Sequence, residues 1–145
     1  SDGQIVISGK TRDLQILSEF LKEKKIKNIK LPVSAPFHSN LMSKATEVMT
    51  QELQKINFKQ SKNILISNVT ADEISNIEDL KSLLINQIEK RVRWRESIQN
   101  MINKGVNQFI EIGPGKVLSG LVKRINKDVK ISSINSESDI KSLDI

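Results

Sequence analysis

The chain has 145 residues, 37% of them hydrophobic and 28% charged, with a formal net charge of +6, an ordinary balance for a globular domain able to bury a core. It has no cysteine and one histidine, which excludes disulfides, thiolate chemistry and cysteine-ligated metal, and argues against a zinc site, so no metal ligands are expected. No apolar run approaches the roughly 20 residues that a membrane helix needs, and no signal or transit peptide is visible.

Residues 4–8 read as a short strand rich in Ile and Val, ended by Gly9. Thr11 can cap a helix over residues 12–24, with Leu14, Leu17, Phe20 and Leu21 on one face. Residues 26–33 read as extended, and Pro32 and Pro36 punctuate the passage to the lone His38. Ser39 or Asn40 can cap a helix reaching about residue 57, with Leu41, Ala45, Val48, Met49 and Ile56 at helical spacing. Residues 64–67 resemble a buried strand, and residues 68–77 a turn-rich connection ending at the plausible cap Asn76. Leu80, Leu83, Leu84 and Ile88 make the next helix amphipathic. Trp94, Ile98, Met101 and Ile102 mark another, ending at Gly105. A strand over 107–112, a tight turn at Gly113-Pro114-Gly115, a helix over 116–125, a strand over 130–134 and a weak helix over 136–145 complete the chain. Strands alternating with helices predict an α/β fold with a largely parallel sheet, and there is no internal repeat.

Basic residues carry little functional information here. Eighteen of the 23 are lysine, and isoleucine (21) and asparagine (12) are also abundant, as expected of an AT-rich coding sequence. Two clusters still stand out: Lys22, Lys24, Lys25, Lys27 and Lys30 against Glu23 alone, and Lys90 with Arg91, Arg93 and Arg95.

Four motifs carry more. Pro32-Val33-Ser34-Ala35-Pro36-Phe37-His38-Ser39 resembles the histidine motif of the malonyl-CoA:acyl-carrier-protein transacylases of type II fatty-acid synthesis, and of polyketide acyltransferase domains. Gly3-Gln4-Ile5-Val6-Ile7-Ser8-Gly9 is similar to that family's GQ-V-V-I-G strand. Gln87 with Val92-Arg93-Trp94 matches its Q-x4-V-x-W pattern, although Arg91 stands where the family usually has proline. Glu111-Ile112-Gly113-Pro114-Gly115-Lys116-Val117-Leu118 matches its E-x-G-P-G-x-x-L turn. The resemblance runs through nearly the whole chain. It implies the C-terminal part of an α/β-hydrolase-like core with a largely parallel sheet (residues 32–145), plus half of an inserted ferredoxin-like subdomain (residues 1–31).

The resemblance also implies a mechanism. A serine in a G-x-S-x-G elbow attacks the malonyl thioester, and a histidine takes its proton and returns one to the departing coenzyme A thiolate. The same histidine then serves the carrier-protein thiol. His38 matches that residue; without the resemblance, a lone loop histidine is as readily a surface or helix-flanking residue. Gln87 shares the stripe of Leu80 and Leu84, so by pattern it is an edge glutamine or a buried, partnered one. The resemblance implies that its backbone carbonyl accepts from the histidine's other nitrogen and orients it. Phe37 is by pattern one more core aromatic; the resemblance to polyketide acyltransferases implies instead a malonyl-selecting residue whose ring fills the space an α-methyl would need. Lys24, Lys25, Lys27 and Lys30 are either a solvated helix end or a dock for the acidic carrier protein. Gly113-Pro114-Gly115-Lys116 lacks the G-x4-G-K-[ST] spacing of a phosphate loop and reads as a structural turn.

No G-x-S-x-G occurs in the chain. The nucleophile, the carboxylate-binding arginine and the oxyanion hole are expected upstream of it, and the 145 residues alone are expected to be inactive. The expected partners are malonyl-CoA and acyl carrier protein with its phosphopantetheine arm. No bound cofactor, nucleic acid or membrane is expected, and the full-length protein is expected to be a monomer. The expected compartment is the cytoplasm in a bacterium, or a plastid or mitochondrion in a eukaryote. Competing readings are a polyketide-type acyltransferase, a non-catalytic carrier-binding module and a basic nucleic-acid binder. The last is disfavoured by an aromatic content of only 3%.

Overall fold

The structure is a computed structural model that describes residues 3–143. It divides into two compact units. One covers Val6–Val92; the other joins the described residues up to Ile5 to those from Arg93 onward.

The first unit holds three helices, α1 (Thr11–Glu23), α2 (Ser43–Gln54) and α3 (Ile77–Asn86), with a 3-10 turn at Asn40–Met42 leading into α2. Helix α1 starts from Lys10 without a side-chain cap, so Thr11 is its first residue and not its cap. It ends in a Schellman motif. Ile26 N–H donates to the Leu21 carbonyl (2.8 Å) and Lys25 N–H to that of Lys22 (2.9 Å), with Lys25 left-handed at φ 56°. Ser39 caps the 3-10 turn, and α2 stops at Gln54, short of the expected residue 57. Asn76 caps α3: its Oδ1 accepts from Asp79 N–H at 2.7 Å. Helices α2 and α3 pack on each other.

The second unit is α4 (Trp94–Asn103), β1 (Gln108–Ile112), α5 (Val117–Ile125), β2 (Lys130–Ile134) and α6 (Glu137–Lys141). Strands β1 and β2 pair in parallel, Gln108 opposite Lys130 and Ile112 opposite Ile134, with α5 as the crossover. This is one βαβ unit, and it is the α/β character that the sequence predicts. Ile98, Val122 and Val129 are buried at its centre, with Trp94, Met101, Ile102, Phe109, Ile125 and Ile131 packed around them. Helix α6 stops at Lys141 with Ser142 as its C-cap, short of the helix expected over 136–145, whose last two positions lie outside the described residues.

Three predicted strands differ. Residues 4–8 and 26–33 form no strand, and 64–67 reduces to a single antiparallel bridge, Ile66 to Glu73. Composition sets an extended backbone, but a strand exists only when a neighbour meets its N–H and C=O groups. Among the described residues the one sheet has two strands, and neither belongs to these segments. Their apolar side chains lie open, with Ile5 87%, Ile29 74% and Ile64 72% exposed.

Candidate active site

His38 sits where two short structures meet. Pro36 fixes the approach, and the Ser39 hydroxyl donates back to the Pro36 carbonyl at 2.7 Å while accepting from Leu41 N–H at 3.4 Å. Ser39 is therefore occupied by the local fold. Between these anchors His38 adopts φ 59°, a left-handed conformation uncommon for a side chain with a Cβ. The main chain is held there because His38 N–H donates to the Ile88 carbonyl at 3.1 Å.

The acceptors come from the end of α3. Gln87 is its C-cap, so its carbonyl has no partner further along the helix and is available to another group. The His38 Nδ1 atom lies 2.9 Å from that carbonyl oxygen, across 49 residues of sequence. The Gln87 side-chain nitrogen lies 3.4 Å from the same Nδ1. The shorter contact decides the tautomer. A carbonyl can only accept, so Nδ1 carries the proton and Nε2 is left as the basic nitrogen. Gln87 is half-buried at the helix end, and its contribution to the shorter contact is main-chain.

The other expected residues are placed as follows. Phe37 is 47% exposed, so within its unit it is not a core aromatic. Lys24, Lys25, Lys27 and Lys30 are all exposed around the end of α1, and Lys24 Nζ stands 5.6 Å from the Phe20 ring centroid. Asn28 folds their segment back onto α1: its Oδ1 accepts from the Ser18 hydroxyl at 2.6 Å. Among the described residues no three His, Asp or Glu side chains converge as metal ligands, and no helix is long and apolar enough to cross a membrane.

Two arrangements were not legible beforehand. Thr46 on α2 donates to the Glu89 carboxylate at 2.6 Å, joining α2 to the turn that follows Gln87. In the second unit, Glu111 at the end of β1 caps α5: its Oε1 accepts from Leu118 N–H (3.0 Å) and its Oε2 from Ser119 N–H (2.7 Å). Bonds from the Ser119 hydroxyl and main chain, with those of Leu118 and Val117, hold the Glu111 carboxyl below its usual pKa. An acid beside a Gly-Pro-Gly turn that opens a helix was the available signal. The turn itself needs its glycines, at φ 136° for Gly113 and 94° for Gly115.

No known family profile matches the chain. Individual proteins do. Over 140 residues, 96% of this chain, it is 45% identical to the malonyl CoA-acyl carrier protein transacylase of Bacillus subtilis (strain 168). Its homologues are malonyl CoA-acyl carrier protein transacylases. The chain spans 44% of that Bacillus relative, less than half its length. Solved structures agree. The acyl-carrier-protein S-malonyltransferase of Bartonella henselae superposes with a TM-score of 0.86 at 41% identity, covering 92% of this chain and 43% of that one. A malonyl-transacylase in complex with its type II polyketide synthase acyl-carrier protein superposes with a TM-score of 0.86 at 29% identity, covering 92% and 44%. The α/β architecture with its small parallel sheet is thus that of transacylase structures.

Proposed function

We propose that this chain is the histidine-bearing part of an enzyme that moves malonyl groups from malonyl-CoA to the phosphopantetheine thiol of acyl carrier protein. The observation that carries the reading is the 2.9 Å contact from His38 Nδ1 to the Gln87 carbonyl. It commits one ring nitrogen to a main-chain acceptor and leaves Nε2 as a base. Homology to transacylases over 96% of the chain supports the choice of reaction.

His38 Nε2 removes the proton of a serine hydroxyl as its oxygen attacks the malonyl thioester carbon. The tetrahedral intermediate expels coenzyme A, and the imidazolium gives its proton to the leaving sulfur. The malonyl ester is then attacked by the carrier thiol, with His38 acting in the same two roles. A carbonyl at Nδ1 fixes ring and tautomer, as a carboxylate does in a Ser-His-Asp triad, but adds no negative charge. The chemistry calls for no bound cofactor.

The serine is not supplied by this chain. Ser39, the nearest candidate in sequence, is engaged with Pro36 and Leu41. The nucleophile, the arginine for the malonyl carboxylate and the oxyanion hole belong to the part of the relatives that the chain does not span. In this reading residues 32–145 are the C-terminal part of an α/β-hydrolase-like core, and residues 1–31 are half of a ferredoxin-like subdomain. Phe37 borders the acyl site and disfavours an α-methyl. Lys24, Lys25, Lys27 and Lys30 receive the acidic carrier protein by charge complementarity. The full-length enzyme is a monomer of the bacterial cytoplasm. A polyketide-type carrier is the second reading, favoured by the similar transacylase in complex with such a carrier.

Intact-mass analysis of carrier protein incubated with malonyl-CoA tests this. The arms are this chain, the protein extended to the length of its relatives, and that extended protein with His38→Ala. Malonylated carrier from the extended wild type alone is the expected result. Transfer by the 145-residue chain would overturn the missing nucleophile. No transfer by the extended protein would overturn catalysis and leave a carrier-binding module.

A further inference from the structure

Two main-chain carbonyls of the 87–88 turn reach His38, and both are met through that one residue. Nδ1 is bound to Gln87 O and the main-chain N–H to Ile88 O. Two contacts sharing one residue define a pivot. By themselves they would let the two segments rotate about His38, swinging the carbonyl out of the imidazole plane and weakening its hold on the Nδ1 proton.

The segments on either side of this pivot are individually rigid. From His38 the chain passes through the Ser39-capped 3-10 turn, where Met42 N–H donates to the Ser39 carbonyl at 3.1 Å, directly into α2. From Gln87 it follows a closed turn, with Ile88 N–H donating to the Ile85 carbonyl (3.2 Å), and Glu89 N–H (3.2 Å) and Lys90 N–H (2.8 Å) to that of Asn86. The packing of α2 on α3 restrains that rotation without direction, and a directional contact beside the turn fixes the angle. That contact is Thr46 to Glu89. The Thr46 hydroxyl has one proton and two acceptors in reach, Glu89 Oε1 at 2.6 Å and the Met42 carbonyl at 3.3 Å. The short bond to the charged oxygen takes it. Both side chains are partly buried, which limits competition from water.

We propose that Thr46 and Glu89 are positioning residues for His38, a strut that keeps the Gln87 carbonyl aligned with Nδ1 and so sets which nitrogen is free to act as base. The inference rests on the reading of His38 as that base, but its test does not. His38 is the only histidine in the chain, so 15N-labelled histidine gives one imidazole and no assignment problem. Recorded on the alkaline side of the ring's own titration, where its shifts no longer change with pH, the two nitrogen shifts report the tautomer ratio.

The wild-type chain is expected to show the Nδ1–H form in excess. Thr46→Val keeps the side chain's shape and removes the donor; Glu89→Ala removes the acceptor. Each is expected to lower the Nδ1–H to Nε2–H ratio by about twofold to tenfold, the range set by one net hydrogen bond. Thr46→Ser, which restores the hydroxyl, is expected to return the wild-type ratio. A helix that merely lost packing would not be rescued in this way. An unchanged ratio in whichever of Thr46→Val and Glu89→Ala keeps the wild-type amide spectrum overturns the strut. So does a changed ratio that Thr46→Ser fails to restore. If the ratio responds as expected while the extended protein transfers no malonyl group, the strut stands and the assignment of His38 as catalytic base falls.

Discussion

The main-chain N–H of His38 donates to the Ile88 carbonyl at 3.1 Å, so the residue whose imidazole meets Gln87 is also clamped through its own backbone. The carbonyls of two consecutive residues serve one histidine, and neither interaction with it requires a side chain at positions 87 or 88.

Mutagenesis should reflect that division. In the protein extended to the length of its relatives, His38→Ala is expected to lower kcat by about a hundredfold or more, the usual share of general acid–base catalysis. Gln87→Ala keeps the carbonyl and is expected to cost less than about fivefold. Steady-state malonyl transfer checks both. Comparable losses would refute the assignment of the orienting role to the main chain.

Lys25 occupies the left-handed position of the Schellman motif at φ 56°. Glycine takes that conformation without the Cβ clash, so Lys25→Gly is expected to stabilise the chain by about 1 kcal/mol. A rise in the urea midpoint at unchanged slope is the readout. A fall would mean that the lysine contributes more than its backbone conformation costs.

The same lysine belongs to the proposed dock, which gives a separate test. Changing Lys24, Lys27 and Lys30 together to glutamate in the extended protein is expected to raise KM for carrier protein on the order of tenfold at low salt. KM for malonyl-CoA should not move. The difference should shrink at high ionic strength, because exposed charges are screened beyond a Debye length. Equal effects on both substrates would point away from docking.

Glu111 gives the chain a pH-dependent element. The hydrogen bonds from Ser119, Leu118 and Val117 lower its pKa on folding, so its stabilisation is present above the unfolded pKa and is lost as pH falls through the folded one. Glu111→Gln is expected to be less stable than wild type at neutral pH and to converge with it as the solution is acidified. Chemical denaturation across that range reads the gap. A gap that widened with acid would contradict the carboxylate cap.

Much of the chain was legible from local chemistry. Asn76 announced α3, the apolar spacing of Trp94, Ile98, Met101 and Ile102 announced α4, and the β1–turn–α5–β2 unit followed from strand, Gly-Pro-Gly, helix and strand signals in order. These features depend on residues a few positions apart. The helix starts were less certain, because capping is decided by one hydrogen bond: Lys10 precedes α1 where Thr11 had the better side chain for the task.

The sequence by itself determined the composition class, the helices, the βαβ unit and the resemblance that singles out His38. Tertiary structure alone decided pairing. Residues 4–8 and 26–33 have the composition of strands and form none, because strand formation is a property of two segments. The tautomer of His38 was likewise a tertiary outcome. It follows from a carbonyl 49 residues away, and a main-chain acceptor leaves no mark in the identity of its own residue. The Thr46–Glu89 contact is of the same kind: each residue is unremarkable alone, and only the approach of α2 to the end of α3 brings a hydroxyl within 2.6 Å of a carboxylate.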